Sequence, residues 1–410
     1  MANILLITTQ NLTTNPRLQK EFLKLRQDHA VQVIAFSDLG WSDTLETERG
    51  AKEQWVSLVR YIPASRASGW PFVYATMISK LAGLMDRVGL AGIRMKAWAS
   101  NKRAVLLWRS LRKYRPKDFD LVLVHTLGAL YPAWRWLQGT PVPWVFDVED
   151  FHPGEAMPED GGFEKKRRIT LMRELLPGAS HVHFASPLIG EAVKGLPVSL
   201  KSSSVLNNCF SRHEFVPPDK ELTGRIKLVW FSQNIDGGRG LEEVIKAIAP
   251  LQDEVELHLI GNLVQDFERE WIAPNRKFIH THLPMPQEKL HRSLMNYDVG
   301  LAMELSTADE NRNLCLTNKI FAYLQSGLYI LATDTQAQKR FMDEHARHGV
   351  VCGQSVEALS SAMAELVKDK TRIRSGKDER YKLADDVCWE NECGKLSELI
   401  ERWTNQARHA

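Results

Sequence analysis

A dense polar cluster stands at Asp147-Val-Glu-Asp-Phe-His-Pro-Gly-Glu155. Asp150, His152 and Glu155 bring two carboxylates and an imidazole together, the groups needed for acid–base work or for holding an acceptor's hydroxyls. The apolar run Trp144–Val148 before it reads as a strand, so the cluster falls at a strand's carboxyl end, where open α/β sheets bind ligands. Turn chemistry with helix capping is the rival reading. Two further segments carry a different chemistry. In Phe231-Ser-Gln-Asn-Ile-Asp-Gly-Gly-Arg-Gly240 a strand ends near Ser232, a loop with Gly238 and Arg239 follows, and a helix opens at about Gly240. Backbone N–H groups at a helix N-terminus beside an arginine suit a diphosphate, although glycine-rich strand-to-helix turns are also common as plain structure. In the third segment a strand ends at Glu304, a polar loop containing Glu310 follows, and Thr317 can N-cap a helix whose first turn holds Asn318 and Lys319. A lysine there adds positive charge to the positive helix end, which is unfavourable unless an anion sits nearby.

Other candidates are sparser. Asn11, Asn15 and Arg17 follow the first strand and can meet a ligand at its carboxyl end; the alternative is an Asn capping a helix that starts at Pro16. His125 ends the run Asp120–His125, where a lone histidine is usually a satisfied polar group. Asp118-Phe-Asp120 has the spacing of a metal-binding carboxylate pair but precedes its strand, at the wrong end of the sheet. With no metal or other cofactor expected, charge on a leaving diphosphate falls to Arg239, Lys319 and helix N-termini.

The elements that must position these residues repeat one pattern. Short apolar runs at Ile4–Thr8, Val31–Phe36, Val56–Ile62, Leu121–His125, Trp144–Val148, His181–Ala185 and Ser204–Leu206 alternate with helical segments, which predicts a parallel sheet covered on both faces. After a polar linker over 211–225, stiffened by Pro217 and Pro218, the alternation restarts at Lys227–Ser232 and runs to Gly349–Cys352. The expected architecture is α/β, with two Rossmann-like, doubly wound parallel-sheet domains. The expected boundaries are 1–215, 216–385 and a final helical segment, 386–410. No internal repeat or low-complexity segment is evident.

The chain's 410 residues suit two such domains. With 44% hydrophobic and 25% charged residues, the composition is that of a soluble globular protein. No apolar run is long enough to span a bilayer, and MANILLITTQ reads as a first strand rather than a signal peptide. Five scattered cysteines without a Cys-x-x-Cys spacing fit a reducing cytoplasm and argue against both a disulfide framework and a structural zinc site. The net charge of +3 is unevenly spread: Lys80–Lys117 holds eleven Lys or Arg against one acid, Asp86. This basic helical insertion, about 70–115, places Ile78, Leu81, Met85 and Val88 at helical spacing and would align Lys80, Arg87 and Arg94 in one stripe. Such a helix can lie on an anionic membrane; a solvated face over an ordinary core is the plainer reading.

The segments around 231–245 and 304–334, in this order, resemble the donor half of GT-B retaining glycosyltransferases (glycosyltransferase group 1, family 4-like). That family carries G-R-x(4)-K-G in the first loop; here Asn234 stands at the arginine position and Arg239 at the lysine position. Its P-N-K-x-F-E-Y motif is matched by Leu316-Thr317-Asn318-Lys319-Ile320-Phe321-Ala322-Tyr323, with Gly327 following. The likeness extends to Leu290–Leu301, Asp334 and Trp389, which precedes a helix that crosses back to the first domain in the family. The family's two glutamates are Leu314 and Ala322 here, and its N-terminal glycine pair is lacking. Glu304 and Glu310 could replace their contacts to donor sugar or ribose.

The resemblance implies a cleft between the domains and transfer of a sugar, with retention, from a nucleotide-diphosphate donor held mainly by the second domain. In that reading Asn318 helps orient the diphosphate and His125 faces the donor sugar. The acceptor would be a hydroxyl compound, in bacterial cell-surface polysaccharide or glycolipid synthesis. The basic region suggests a lipid-linked acceptor, with the protein cytoplasmic or peripheral on the inner face of the plasma membrane. A nucleotide-sugar 2-epimerase and a non-catalytic nucleotide-sugar-binding protein share the scaffold and remain alternatives. No nucleic-acid partner is expected, because the basic stretch lacks a recognised RNA or DNA module.

Overall fold

The computed structural model describes residues 1–37, 46–48, 50, 55–157, 159–218 and 222–409. The chain divides into two compact units, 1–207 together with 393–410, and 208–392. The expected boundaries at 215 and 385 fall inside the second unit. Phe210 explains why: its N–H donates to Gln325 Oε1 (2.9 Å), its carbonyl accepts from Gln325 Nε2 (2.8 Å) and Trp389 N (2.9 Å), and its ring is buried with Phe215 in that unit's core.

In the first unit the strands are β1 (Asn3–Ile7), β2 (Ala30–Ser37), β3 (Val59–Pro63), β4 (Leu121–His125), β5 (Trp144–Val148), β6 (His181–Phe184) and β7 (Ser203–Val205). They form one parallel sheet, ordered β3-β2-β1-β4-β5-β6-β7. β3 starts later than the apolar run suggests, because Val56–Leu58 forms a 3₁₀ turn. Residues Ile4 to Ile7 are all fully buried, as a strand covered on both faces requires. Ile4 and Leu6 pack with Leu18, Phe22 and Leu25 of helix Pro16–Leu25 and with Leu396 and Ile400 of the last helix, Trp389–His409. That helix begins in the second unit and continues in the first.

The basic insertion forms three helices: Trp70–Arg87, Ile93–Ser100 and Arg103–Leu111. Lys80, Arg87 and Arg94 therefore do not share one stripe: the first helix ends at Arg87, and the chain turns at Gly89 with φ 76°. Helix Trp70–Arg87 is built inside out. Its buried residues are Ala75, Ala82 and Asp86, whereas Trp70, Val73, Met77, Leu81 and Leu84 are exposed, followed by Val88. Asp86 anchors it through Lys96 (2.5 Å) and Arg167 (3.0 Å), and cation–π contacts of Lys102 with Phe72 and Arg109 with Tyr74 add to this. No helix among the described residues is long and apolar enough to cross a membrane.

The second unit repeats the plan with β8 (Ile226–Ile235), β9 (Val255–Leu263), β10 (Ile279–His282), β11 (Val299–Ala302), β12 (Tyr329–Thr333) and β13 (Gly349–Cys352), all parallel and ordered β10-β9-β8-β11-β12-β13. Glycine is needed at Gly300 in β11, since a Cβ there would lie 2.2 Å from the buried ring of Tyr323. In each sheet the order reverses direction once, between β1 and β4 and between β8 and β11. The loops leaving these strands splay apart, and crevices open at such points.

Candidate active site in two parts

The first unit's crevice is a cavity of about 320 Å³ at the carboxyl ends of β1, β4 and β5. Thr9 follows β1, Thr126 follows β4, and Glu149 and Asp150 follow β5; all four line it. Thr126 has φ 71°, the one non-glycine residue with positive φ among those described. Such backbone costs about 1–3 kcal/mol and persists where surroundings hold it. Here the hold is a pair of contacts with Thr9: hydroxyl to hydroxyl at 2.7 Å, and the Thr9 N–H donating to Thr126 Oγ1 at 3.2 Å. Helix Leu127–Leu137 starts directly after, aiming its first N–H groups at the cavity rim. Gly128 in that turn leaves room that a Cβ would take from Asn101, 2.3 Å away.

Opposite lie Asn101, Lys102 and Arg103, so the basic insertion itself builds one wall. Arg103 is fixed by donating to the Thr9 carbonyl (2.5 Å). His152 and Glu155 complete the lining with Arg168. His152 Nδ1 bonds Glu155 Oε1 at 2.8 Å; Nε2 is buried with no partner among the described residues. Glu155 also pairs with Arg168, which in turn donates to the His152 carbonyl (2.8 Å). Burial opposes charge on His152, but the hydrogen bond and charge of Glu155 outweigh it and raise the imidazole above its usual value. Glu155 is correspondingly lowered against its own burial by His152 and Arg168. The result is an imidazole oriented by a carboxylate, an arrangement suited to accepting or returning a proton.

Behind this wall is a buried charge network. His125 is 1% exposed and does not line the cavity; Nε2 bonds Glu21 (2.9 Å) and Nδ1 bonds Glu149 (2.8 Å). Arg17 is ion-paired with Asp147 and donates to the Leu206 carbonyl (2.5 Å). Asn15 caps helix Pro16–Leu25 by accepting from Leu18 N–H (2.9 Å) and donates to Glu149 (2.8 Å). Asn11 accepts from Thr14 within its own turn (2.8 Å). Despite burial, Glu21, Glu149 and Asp147 push His125 up to about 10, so it is an imidazolium. Burial, Arg17 and the neighbouring imidazoles push His183, beside it, down to about 3. Oxygen or nitrogen atoms of Glu21, His125 and Asp147 lie within 4.8 Å of one another, as metal ligands would, but the Arg17 guanidinium already supplies the counter-charge. Glu149 links network and cavity. It is the residue that sequence reasoning passed over, although it sits in the very cluster that reasoning singled out.

In the second unit the loops after β8 and β11 leave the sheet where its strand order reverses. β8 carries an irregularity between Phe231 and Asn234, where Gly261 lets the strands approach; a Cβ on it would meet the Ser232 carbonyl at 2.4 Å. Asn234 is exposed and pairs in register with Asn262. Gly238 and Gly240 turn the loop with φ 72° and 77°, and the Gly238 N–H donates to Glu242 (2.8 Å). Arg239 donates to Ser232 Oγ (3.2 Å). Gly240 abuts the other loop, since a Cβ there would meet Leu305 at 3.4 Å.

Past β11, Glu304 is buried and bonded to Lys319 (3.0 Å) and Arg312 (2.9 Å), with its N–H donating to Thr333 (2.9 Å). Burial would raise its carboxyl, but Lys319 and Arg312 outweigh that and hold it low. The anion that offsets Lys319 at the start of helix Asn318–Gln325 is thus this carboxylate, contributed by a neighbouring strand end. Thr317 stands at the N-cap without a side-chain capping bond, and Asn318 accepts from Asn208 (2.7 Å). Glu310 opens the short helix Glu310–Leu314 and is exposed. Two cations against one carboxylate leave the cluster of Lys319, Arg312 and Glu304 with a net positive charge, and Arg239 adds another on the facing loop.

Comparison with known proteins agrees with this layout. Residues 24–201 match the family described as "Glycosyl transferase 4-like domain". No curated protein matches in sequence. Among solved structures, sucrose-phosphate synthase from Thermosynechococcus elongatus superposes with a TM-score of 0.67 at 12% identity, over 98% of this chain and 99% of that one. HepE from Anabaena, in complex with UDP, gives 0.65 at 13%, over 98% and 100%. S. aureus TarM, in complex with fondaparinux, α-GlcNAc-glycerol and UDP, gives 0.63 at 10%, over 98% and 100%. Residues 24–201 thus resemble a glycosyl transferase 4-like domain, and with its two doubly wound parallel sheets the chain has the GT-B fold of these solved structures.

Proposed function

We propose that this enzyme transfers a sugar from a nucleotide-diphosphate donor, bound by the second unit, to a hydroxyl acceptor bound in the first unit's cavity. The observation carrying this reading is that each sheet's reversal point holds its own charged set, cationic after β8 and β11, mixed acid and base after β1, β4 and β5. Arg239 and Lys319 receive the diphosphate, with Glu304 orienting Lys319. The complexes of HepE with UDP-glucose and of TarM with UDP support a donor of this class. Retention at the anomeric carbon follows from the family resemblance. In the acceptor cavity His152, oriented by Glu155, holds the attacking hydroxyl, while Lys102, Arg103 and Arg168 suit an acceptor bearing negative charge. The exposed apolar face of helix Trp70–Arg87, beside Lys80 and Arg87, suits an anionic membrane surface and hence a lipid-linked acceptor.

Calorimetric titration with a panel of nucleotide diphosphates and their sugars tests the donor site. Arg239→Ala and Lys319→Ala should each weaken binding by about 1.5–3 kcal/mol, the range of charge-assisted contacts. Unchanged affinity in both variants would sink the site. Transfer should continue in excess EDTA, because the leaving diphosphate is met by side chains; a Mg²⁺-reversible loss would contradict that assignment. For the acceptor site, His152→Ala should slow turnover by about 10²–10⁴-fold. Glu155 raises the His152 value, so Glu155→Gln should move the alkaline-rising limb of kcat/KM to lower pH. A limb that stays put would remove His152 from proton transfer.

A further inference from the structure

At the edge of the second sheet, three histidines and a glutamate share one face. Glu256 and His258 alternate on β9, and His280 and His282 alternate on β10, with His280 in register opposite His258. The alternate residues Leu257, Leu259 and Ile279 face the opposite side and are buried in the core, so strand periodicity sends all four polar side chains the same way. His258 Nε2 lies 3.4 Å from Glu256 Oε2, and one nitrogen or oxygen from each of Glu256, His258 and His280 falls within 4.8 Å of the others. His280 Nε2 is buried with no hydrogen-bond partner among the described residues. The second nitrogen of His258, Nδ1, is 3.0 Å from His282 Nε2.

We propose that Glu256, His258 and His280 bind a divalent transition-metal ion of the zinc class, with His282 as the outer partner that fixes the His258 ring. Imidazole and carboxylate are ligands such ions favour, and three protein ligands with one open position is a common zinc arrangement. Ligand atoms about 2.0–2.2 Å from a tetrahedral ion stand roughly 3.3 Å apart, which the His258–Glu256 spacing meets; side-chain rotation brings His280 in. Glu256 keeps Arg225 on its other oxygen (2.7 Å), so one carboxylate serves both charges. The bond between His258 Nδ1 and His282 Nε2 would fix the His258 ring, the part that an outer contact plays for a ligating histidine. Cysteine spacing offers no zinc site; this one is assembled across two strands whose members are over twenty residues apart, where no local motif exists.

The ion lies on the strands' flank rather than at the loops after β8 and β11, so its role is to tie edge strand β10 to β9. The test titrates chelator-stripped, full-length protein with Zn²⁺ by calorimetry and follows Co²⁺ by its visible absorption. One equivalent should bind and raise the melting temperature, while affinity for nucleotide diphosphates stays the same. His258→Gln and His280→Gln should each weaken Zn²⁺ by more than about 100-fold, and His282→Gln by about tenfold, with circular dichroism confirming that each variant is folded. Absence of stoichiometric binding by wild type overturns the proposal. So does binding that survives both His258→Gln and His280→Gln, which would put the ion elsewhere.

Discussion

Replacing Asp147 by alanine is expected to cost about 3–5 kcal/mol of stability, because it strands buried charges rather than merely deleting a contact. Arg17 and His125 are 2% and 1% exposed; Asp147 is ion-paired with Arg17 and lies 3.7 Å from His125 Nδ1. A domain's whole stability is about 5–15 kcal/mol, so the loss should be plain in a denaturant titration. Asp147→Asn keeps the shape and should fall between alanine and wild type. The network also dictates a pH dependence. His125 is raised in the folded state to about 10, so its contribution is fully present below the unfolded value near 6.5 and drains away as pH rises toward 10. His183 is lowered to about 3, so its contribution is present above 6.5 and is lost as pH falls toward 3. His125→Gln should flatten the alkaline limb and leave the acid limb in place. An Asp147→Ala loss below about 1 kcal/mol, or an alkaline limb identical in His125→Gln, would mean that these groups are neutral or hydrated in the folded protein.

Much of the fold is legible in the chain because parallel strands are written in runs such as Ile4–Ile7 and Leu121–Val124, apolar at every position, which only a doubly covered sheet accommodates. The turn points are legible too, since Gly238, Gly240 and Gly327 mark them with φ values of 72°, 77° and 70°. Pairings across long sequence distance are what local reading lacks. Lys319 in a helix's first turn signals a nearby anion, yet nothing in the flanking residues says that Glu304 supplies it. Likewise His125 ends a strand as expected of a cleft residue, but whether its ring faces the cleft or the core depends on Glu21 in another helix. Asp150, His152 and Glu155 line one cavity with Arg168, and that arginine comes from helix Phe163–Leu175, beyond any motif's span. Phe210 shows the same limit, since it reads as linker until Gln325 satisfies its backbone at both ends.

Mixed anionic vesicles should pull the wild-type protein down in a sedimentation assay, and neutral vesicles should do so far less. Two terms drive this, and each can be removed separately. The apolar term comes from Trp70, Met77, Leu81, Leu84 and Val88, each at least 58% exposed and spaced three, four or seven residues apart on one face of the helix and its end. Burying such a side chain fully is worth about 1.5–3 kcal/mol, so even partial insertion of several is substantial. The electrostatic term comes from Lys80, Arg87 and Arg94, which are exposed nearby, at on the order of 1 kcal/mol for each charge close to an anionic surface. Replacing these three by glutamine should therefore lower vesicle affinity by about 100-fold, and raising salt should mimic the change as the Debye length shrinks from about 10 Å at 0.1 M to 3 Å at 1 M. Leu81→Glu with Leu84→Glu should abolish binding even at low salt. Both sets spare the fold, since the altered side chains are exposed and the anchoring Asp86, Lys96 and Arg167 are untouched. Lys102 and Arg103 are left alone because they line the first unit's cavity, the proposed acceptor site, so donor affinity and cavity geometry should persist in every variant. Binding of wild type to neutral and anionic vesicles alike would assign the attraction to the apolar face only. Indifference to both would leave that face for a protein partner and make the acceptor a soluble anion.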